Sequence, residues 1–168
     1  MTSVQSATRL KNTLWRTTVA LVPKLAHADD RFAERLLSAE EYRLYIRMDV
    51  RDRDHACTVT KALRAEFPGA SPELLRAALL HDVGKTRASY NPLSRIAAAL
   101  YTPSDIPAKP RFSGVRGLWQ MKRHHDRYGA QMIRAAGGSA RVAEIVAKHH
   151  APEGDAEAMR LKEVDERF

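Results

Sequence analysis

The residues with the clearest capacity for chemistry are His81 and Asp82, which follow the apolar segment from Ala77 to Leu80. On a helix, Asp82 falls on the same stripe as Leu75 and Leu79. A carboxylate on a core-facing stripe is costly unless a compensating charge lies nearby, and a bound metal ion is one such charge. His81 adds a nitrogen ligand of the kind that divalent metals accept. For this segment alone, a buried and merely hydrogen-bonded His-Asp pair is an equally good interpretation.

Gly84 and Lys85 complete this stretch. Gly84 permits the left-handed turn that often ends a helix. Lys85 then places a mobile cation next to the His-Asp pair.

Other histidines and aspartates also end or interrupt apolar faces that have helical spacing. His149 follows Val142, Ile145 and Val146 on one helical stripe. Asp165 shares a stripe with Ala158 and Leu161. The complete set is His55, His81, Asp82, His125, His149, His150 and Asp165. A single inward histidine is more often a hydrogen-bonded core residue than a ligand. Seven inward residues of these types have no ordinary core explanation.

The chemistry of this set points to hydrolytic metal ions. All its members are nitrogen or oxygen ligands and none is a thiolate, which argues against a structural zinc site. It favours divalent first-row ions such as Mn, Fe, Co, Ni or catalytic Zn. The set also exceeds what one ion needs once a position for water is left open, so we expect two ions. Asp82 is the natural candidate for a carboxylate that bridges them.

The elements that must position these residues are predicted to be helices. Sustained alternation of apolar and polar residues is nearly absent, and no Asn-Gly or Asp-Gly hairpin signal occurs. The fold class is therefore predicted to be all-α, as a single compact bundle of about six to eight helices.

Several helix starts are marked by capping residues. Ser38 and Glu41 match a capping box. Asp52 is the expected N-cap of the helix that carries His55. Ser71 and Pro72 begin the helix that leads to His81. The other predicted helices cover residues 5–22, residues 31–37, a segment from Asn91-Pro92, a segment through His125 that ends at Gly137-Gly138, a segment capped by Ser139, and a last helix through Leu161.

Length and composition are typical of one globular domain, with 168 residues, of which 44% are hydrophobic and 29% charged. We predict an N-terminal helical extension over residues 1–37 that packs on a domain over residues 38–168. No apolar run approaches the roughly 20 residues of a membrane span, and no signal-peptide pattern begins the chain. Because Cys57 is the only cysteine, we expect a cytoplasmic protein.

The formal net charge of +8 favours anionic partners such as nucleotides, nucleic acid or acidic membrane surfaces. The basic stretch from Lys109 to Arg127 holds six Lys or Arg residues and one acid, Asp126. Such a stretch is usually a solvated face. Because it leads into His124 and His125, it is also a candidate entrance for a phosphate-bearing substrate. Helical steps predict that His125, and not His124, faces inward.

The order His, His-Asp, His, His-His, Asp resembles the HD-domain superfamily of metal-dependent phosphohydrolases. The resemblance covers roughly residues 38–168. The matching pieces are His81-Asp82-Val83-Gly84-Lys85 for the HDxGK signature, Arg53-Asp54-His55 for the first-histidine motif, His125 with Gly129 for the H-x-x-x-G element of binuclear members, His149-His150 for their double histidine, and Asp165 for the closing aspartate. The Gly-Tyr-Pro signature of the cyclic di-GMP phosphodiesterase branch is absent, since Ala151-Pro152 follows the double histidine.

This resemblance implies a role for each residue of the set. It assigns the first ion to His55, His81, Asp82 and Asp165, and the second ion to Asp82, His125, His149 and His150. Lys85 would bind the substrate phosphate or balance charge in the transition state. The expected reaction is hydrolysis of a phosphomonoester or phosphodiester, in a nucleotide, by a metal-activated water.

Two other functions stay open at this stage. One is a regulatory HD domain that binds metal and a nucleotide without turnover. The other is a nucleic-acid phosphoesterase that uses the basic surface, which is the weaker alternative because the basic residues are scattered and no aromatic platform is evident among them.

Overall fold

The computed structural model describes residues 26–87, 103, 105–109 and 113–168. This part of the chain contains seven α-helices, one short 3₁₀ helix and no strand, so the prediction of an all-α fold is confirmed. The α-helices are α1 Asp30–Glu34, α2 Ala39–Tyr45, α3 Val50–Glu66, α4 Pro72–Leu80, α5 Gly114–Ala135, α6 Ala140–Lys148 and α7 Ala156–Asp165, and the 3₁₀ helix is Val83–Arg87. None of these helices has the length and apolar content that crossing a membrane requires.

Two of the predicted helices, over residues 5–22 and from Asn91-Pro92, lie outside the described residues. The short helix expected over residues 31–37 is observed one residue earlier and shorter, as α1.

Local capping explains where two of the helices begin. The Ser38 side chain accepts a hydrogen bond from the Glu41 N–H, and the Glu41 carboxylate accepts one from the Ser38 N–H, which completes the predicted capping box. Ser71 is the N-cap of α4 and Pro72 its first residue, as predicted. These local bonds set the start of α2 and of the helix that leads to the candidate site.

The predicted cap of α3 is wrong. Its N-cap is Asp49, whose side chain accepts a hydrogen bond from the Arg51 N–H, and Asp52 lies in the first turn. A carboxylate in the first turn is also favoured by the helix dipole, so the residue type alone does not distinguish the two positions. Ser139 occupies the N-cap position of α6, but its side chain forms no capping hydrogen bond.

The core is organised around α4. Every residue from Leu74 to Leu80 except Arg76 is buried, and the helix packs against both α3 and α6. Phe32 and Leu37 belong to the same core. A helix that is apolar on nearly all sides is expected at the centre of a bundle. The division of the chain at residue 38 stays a prediction.

One ion pair within the bundle joins three elements. The Glu41 carboxylate is fully buried, and the Arg76 guanidinium donates to both of its oxygens at 2.7 Å. The same carboxylate accepts a hydrogen bond from the Ser139 N–H at 3.4 Å. The pair therefore ties α2 to α4 and to the start of α6.

The 3₁₀ helix lies directly against α5 at Gly84. A Cβ atom on Gly84 would lie 1.9 Å from the carbonyl oxygen of His125 and 2.7 Å from the nitrogen of Gly129. Gly84 does not use the left-handed conformation that glycine permits at a helix end, because its φ is not positive. Glycine is required here by the close approach of two backbones.

Candidate metal centre

The seven histidines and aspartates singled out in the sequence form one continuous cluster among five helices. They come from α3 (His55), from the turn after α4 (His81, Asp82), from α5 (His125), from the end of α6 (His149, His150) and from the last residue of α7 (Asp165). Four of them are nearly inaccessible to solvent, namely His81, Asp82, His125 and His149. The cluster therefore lies at the ends of the buried faces that the helical spacing predicted.

One half of the cluster is built around two carboxylates. Nε2 of His55 lies 2.8 Å from Oδ1 of Asp165, and Nε2 of His81 lies 3.4 Å from the same oxygen. Nε2 of His81 also lies 3.5 Å from Oδ2 of Asp82. His55, His81 and Asp82 each offer one ligand atom, and these atoms lie within 4.8 Å of one another.

The other half of the cluster consists of histidines. His125, His149 and His150 likewise offer three ligand atoms within 4.8 Å of one another. Nε2 of His125 lies 3.1 Å from Nε2 of His150 and 3.3 Å from Oδ1 of Asp82. Asp82 thus presents one carboxylate oxygen to each half of the cluster.

Three of the histidines are oriented in the same way by their own helices. The Nδ1 atoms of His81, His149 and His125 lie 2.8, 2.7 and 3.1 Å from the carbonyl oxygens of the residues three positions earlier. A carbonyl oxygen only accepts hydrogen bonds, so each Nδ1 carries a proton and donates it. This leaves Nε2 facing the cluster, with the ring held in place as in oriented metal-binding histidines.

Two of these Nε2 atoms have no hydrogen-bond partner. Nε2 of His81 and Nε2 of His149 are buried and unpartnered within the described part of the chain. A buried polar atom left without a partner costs about 1–3 kcal/mol. Buried imidazole nitrogens without a hydrogen-bond partner, in a cluster that also holds carboxylates, are the state expected of ligand atoms, so these residues fit a divalent first-row metal ion.

The carboxylates control the protonation of the cluster. Burial lowers the pKa of His81, but Asp82 and Asp165 outweigh burial and raise this pKa to about 9. Burial would raise the pKa of Asp165, but the His55 and His81 imidazoles beside its carboxylate hold this pKa well below its usual range. Burial and the neighbouring histidines hold the pKa of His149 well below its usual value. His81 must therefore release a proton before Nε2 can bind a metal ion, which makes metal binding dependent on pH.

Lys85 is the cation next to the cluster. Its Nζ lies 2.5 Å from Oδ2 of Asp82, and its side chain is 30% exposed. Burial lowers the pKa of Lys85, but Asp82 and Asp52 outweigh burial and raise it. Asp52, which the sequence pattern assigned only to a cap, therefore contributes negative charge near Lys85. Its position one turn before His55 was the signal for this role.

The neighbouring histidine, His124, contacts a different part of the chain. His125 is buried and His124 is only partly buried, which confirms the predicted orientation. Nε2 of His124 donates to the carbonyl oxygen of Ile106 at 2.7 Å. Gln120 and Tyr128 donate to carbonyl oxygens of residues 107–109 at 2.5–2.6 Å. Sequence reasoning missed this hydrogen-bonded segment, residues 106–109, although the spacing of four residues along α5 places the three donors on one stripe.

Comparison with known proteins identifies a family. The family model described as HD domain matches residues 53–167, a range that contains all seven residues of the cluster and Lys85. No curated protein and no solved structure gives a significant match to the chain.

Proposed function

We propose that this chain, which belongs to the HD domain family, hydrolyses a phosphomonoester or phosphodiester, in a nucleotide, at a centre of two metal ions. Members of this family are generally metal-dependent phosphohydrolases. The observation that carries the proposal is the continuous cluster of nitrogen and oxygen ligands in which two buried imidazole nitrogens have no described partner.

In this proposal the cluster holds two divalent ions drawn from Mn, Fe, Co, Ni and Zn. The ligands of the first would be His55, His81, Asp82 and Asp165, and those of the second Asp82, His125, His149 and His150. The two separate oxygens of Asp82, each facing one half of the cluster, support a bridging role. When bound, the ions would supply an activated water and neutralise charge on the phosphoryl oxygens.

The chain itself contributes orientation and charge. The Nδ1 hydrogen bonds prevent rotation of His81, His125 and His149 and keep Nε2 directed at the centre. We assign Lys85 the role of binding the substrate phosphate, since its ammonium group adjoins Asp82 and its side chain is partly open to solvent. An ammonium group there attracts an anionic ester and offsets the repulsion from the two carboxylates of the cluster.

The proposal is tested by metal content and turnover measured on the same preparation of the full chain, purified without chelator. We expect about two ions per chain and hydrolysis of para-nitrophenyl phosphate, bis(para-nitrophenyl) phosphate or a nucleotide. Asp82→Asn should lose metal and activity, because it alters the ligand shared by both ions. His27→Gln is the matched control, since His27 is exposed and lies outside the cluster.

Two results would contradict the proposal in different ways. Absence of bound metal even after reloading with Mn or Fe would exclude a metal centre. Bound metal without turnover of any phosphate ester, together with tight nucleotide binding, would instead identify a regulatory HD domain.

A further inference from the structure

The outward face of α5 carries a stripe of four arginines, Arg116, Arg123, Arg127 and Arg134. Their intervals of seven, four and seven residues place them within about 40° of one another around the helix and spread them over about 27 Å of its length. All four are exposed. Within the described part of the chain, none of them forms an ion pair. We call these residues the arginine stripe.

The arginine stripe lies on the side of α5 opposite the metal cluster. Its members are rotated by about 160–200° from His125 around the helix axis. The His125 side of α5 packs against the 3₁₀ helix and α6. Asp126 is the single acid in α5, and it lies about 60–100° away from the stripe. The charged side chains of the outward face are therefore all basic.

A pocket adjoins one end of the arginine stripe. Its volume is about 260 Å³, and it is lined by Pro103, Asp105, Ile106, Pro107, Arg116 and Trp119. Trp119 packs on the buried side chains of Leu118 and Met121. The opposite wall is fixed by the hydrogen bonds from His124 and Gln120 to the segment 106–109. An aromatic side chain therefore lies next to Arg116 at one end of the stripe.

We propose that the arginine stripe and this pocket form a binding surface for single-stranded nucleic acid. The phosphates would lie along the arginines, and one base would enter the pocket and stack on Trp119. Asp105 repels a phosphate but accepts a hydrogen bond from a base N–H group, such as N3–H of thymine, so the pocket suits a base. An anionic lipid surface fits less well, because the large exposed hydrophobic residues of the described chain are Ile46 and Met159, and neither lies on α5.

This surface goes beyond the proposed hydrolase and does not depend on it, because no residue of the cluster takes part. The first test is fluorescence anisotropy of a labelled oligo(dT) of about 12 nucleotides, titrated with the full chain at several salt concentrations. Four phosphate contacts predict that affinity falls about 50-fold between about 50 and 200 mM salt. Arg123→Gln/Arg127→Gln, with two contacts left, should show a fall of only about sevenfold.

A matched double variant separates this surface from general charge. Arg47→Gln/Arg64→Gln removes two exposed arginines, one in the turn after α2 and one in α3, and gives the same net charge. This control variant should keep the salt dependence of oligo(dT) binding that the unaltered chain shows. An equal reduction of this salt dependence in both double variants would overturn the proposal. The stripe variant should still hydrolyse para-nitrophenyl phosphate, so that failure of this surface and failure of the hydrolase are distinguishable.

Base recognition is tested through Trp119. The chain has two tryptophans, so Trp15→Phe leaves Trp119 as the single fluorescent indole. Oligo(dT) should quench its emission, and an abasic strand of equal length should bind more weakly without quenching. Equal binding of both strands, or binding of phosphatidylserine vesicles as tight as that of oligo(dT), would overturn the assignment.

Discussion

Replacing Gly84 by alanine tests how the two halves of the cluster are held together. The new Cβ would lie 1.9 Å from the His125 carbonyl oxygen, and because the obstacle is backbone, no change of rotamer relieves the contact. Restoring a separation of 3.0 Å requires the 3₁₀ helix and α5 to move apart by about 1.1 Å, the difference between the two distances. Overpacking costs about 1–3 kcal/mol, and we expect a loss of stability near the upper value.

The same movement separates ligands of the proposed centre. Oδ1 of Asp82 and Nε2 of His125 are 3.3 Å apart. Two donor atoms that each lie about 2.1 Å from one ion are at most about 4.2 Å apart. A displacement of about 1.1 Å along this line takes the pair to about 4.4 Å, beyond that limit. Gly84→Ala should therefore lose at least one ion and most of the activity.

Urea unfolding and metal analysis of the same preparations measure both effects. Gly69→Ala is the control, since a Cβ on Gly69 meets no atom within 4 Å. It should change the free energy of unfolding by less than about 0.5 kcal/mol. If Gly84→Ala kept the unfolding free energy and the metal content of the unaltered chain, the argument that this backbone contact aligns the centre would be refuted.

Three further perturbations test other parts of the site and fold. Lys85→Ala should keep the metal content and lower kcat, because it removes a cation but no proposed ligand; unchanged kinetics would exclude Lys85 from the site. Arg76→Ala should lower the free energy of urea unfolding by about 3–5 kcal/mol, because it leaves the buried Glu41 carboxylate unpaired; a loss below 1 kcal/mol would contradict this role. Hydrogen bonds from Arg141 lower the pKa of Asp155 to about 2 from its ordinary 3.8. The ionised Asp155 carboxylate therefore stabilises the folded chain fully above pH 3.8, and this stabilisation is lost as the pH falls through about 2. Asp155→Asn keeps a capping side chain and should cost about 1–2 kcal/mol at pH 7 but almost nothing at pH 2; an equal loss at both pH values would refute the linkage.

The helices and their inward faces were predictable because the signals for them are local. The capping box of Ser38 and Glu41 lies within four residues, and the apolar stripe that ends at His149 lies within eight. Such signals depend on helix geometry alone, with 3.6 residues per turn. They sufficed to predict an all-α fold and to place His125, but not His124, on the buried side of its helix. Their weakness appears at Asp52, where two aspartates three residues apart satisfy the same capping preference.

The tertiary structure determined the distances between the helices. Gly84 is required because its backbone meets that of His125, which is 41 positions away in the chain. The two oxygens of Asp82 face different groups only because the 3₁₀ helix that follows α4 packs against α5 at this separation. The hydrogen bonds from α5 to the segment 106–109 arise in the same way. The sequence by itself determined which residue types stand on the inward faces. Their mutual distances and pKa values depend on how the complete bundle packs, because contacts between separate helices follow from the combined shape of their side chains and not from any local pattern.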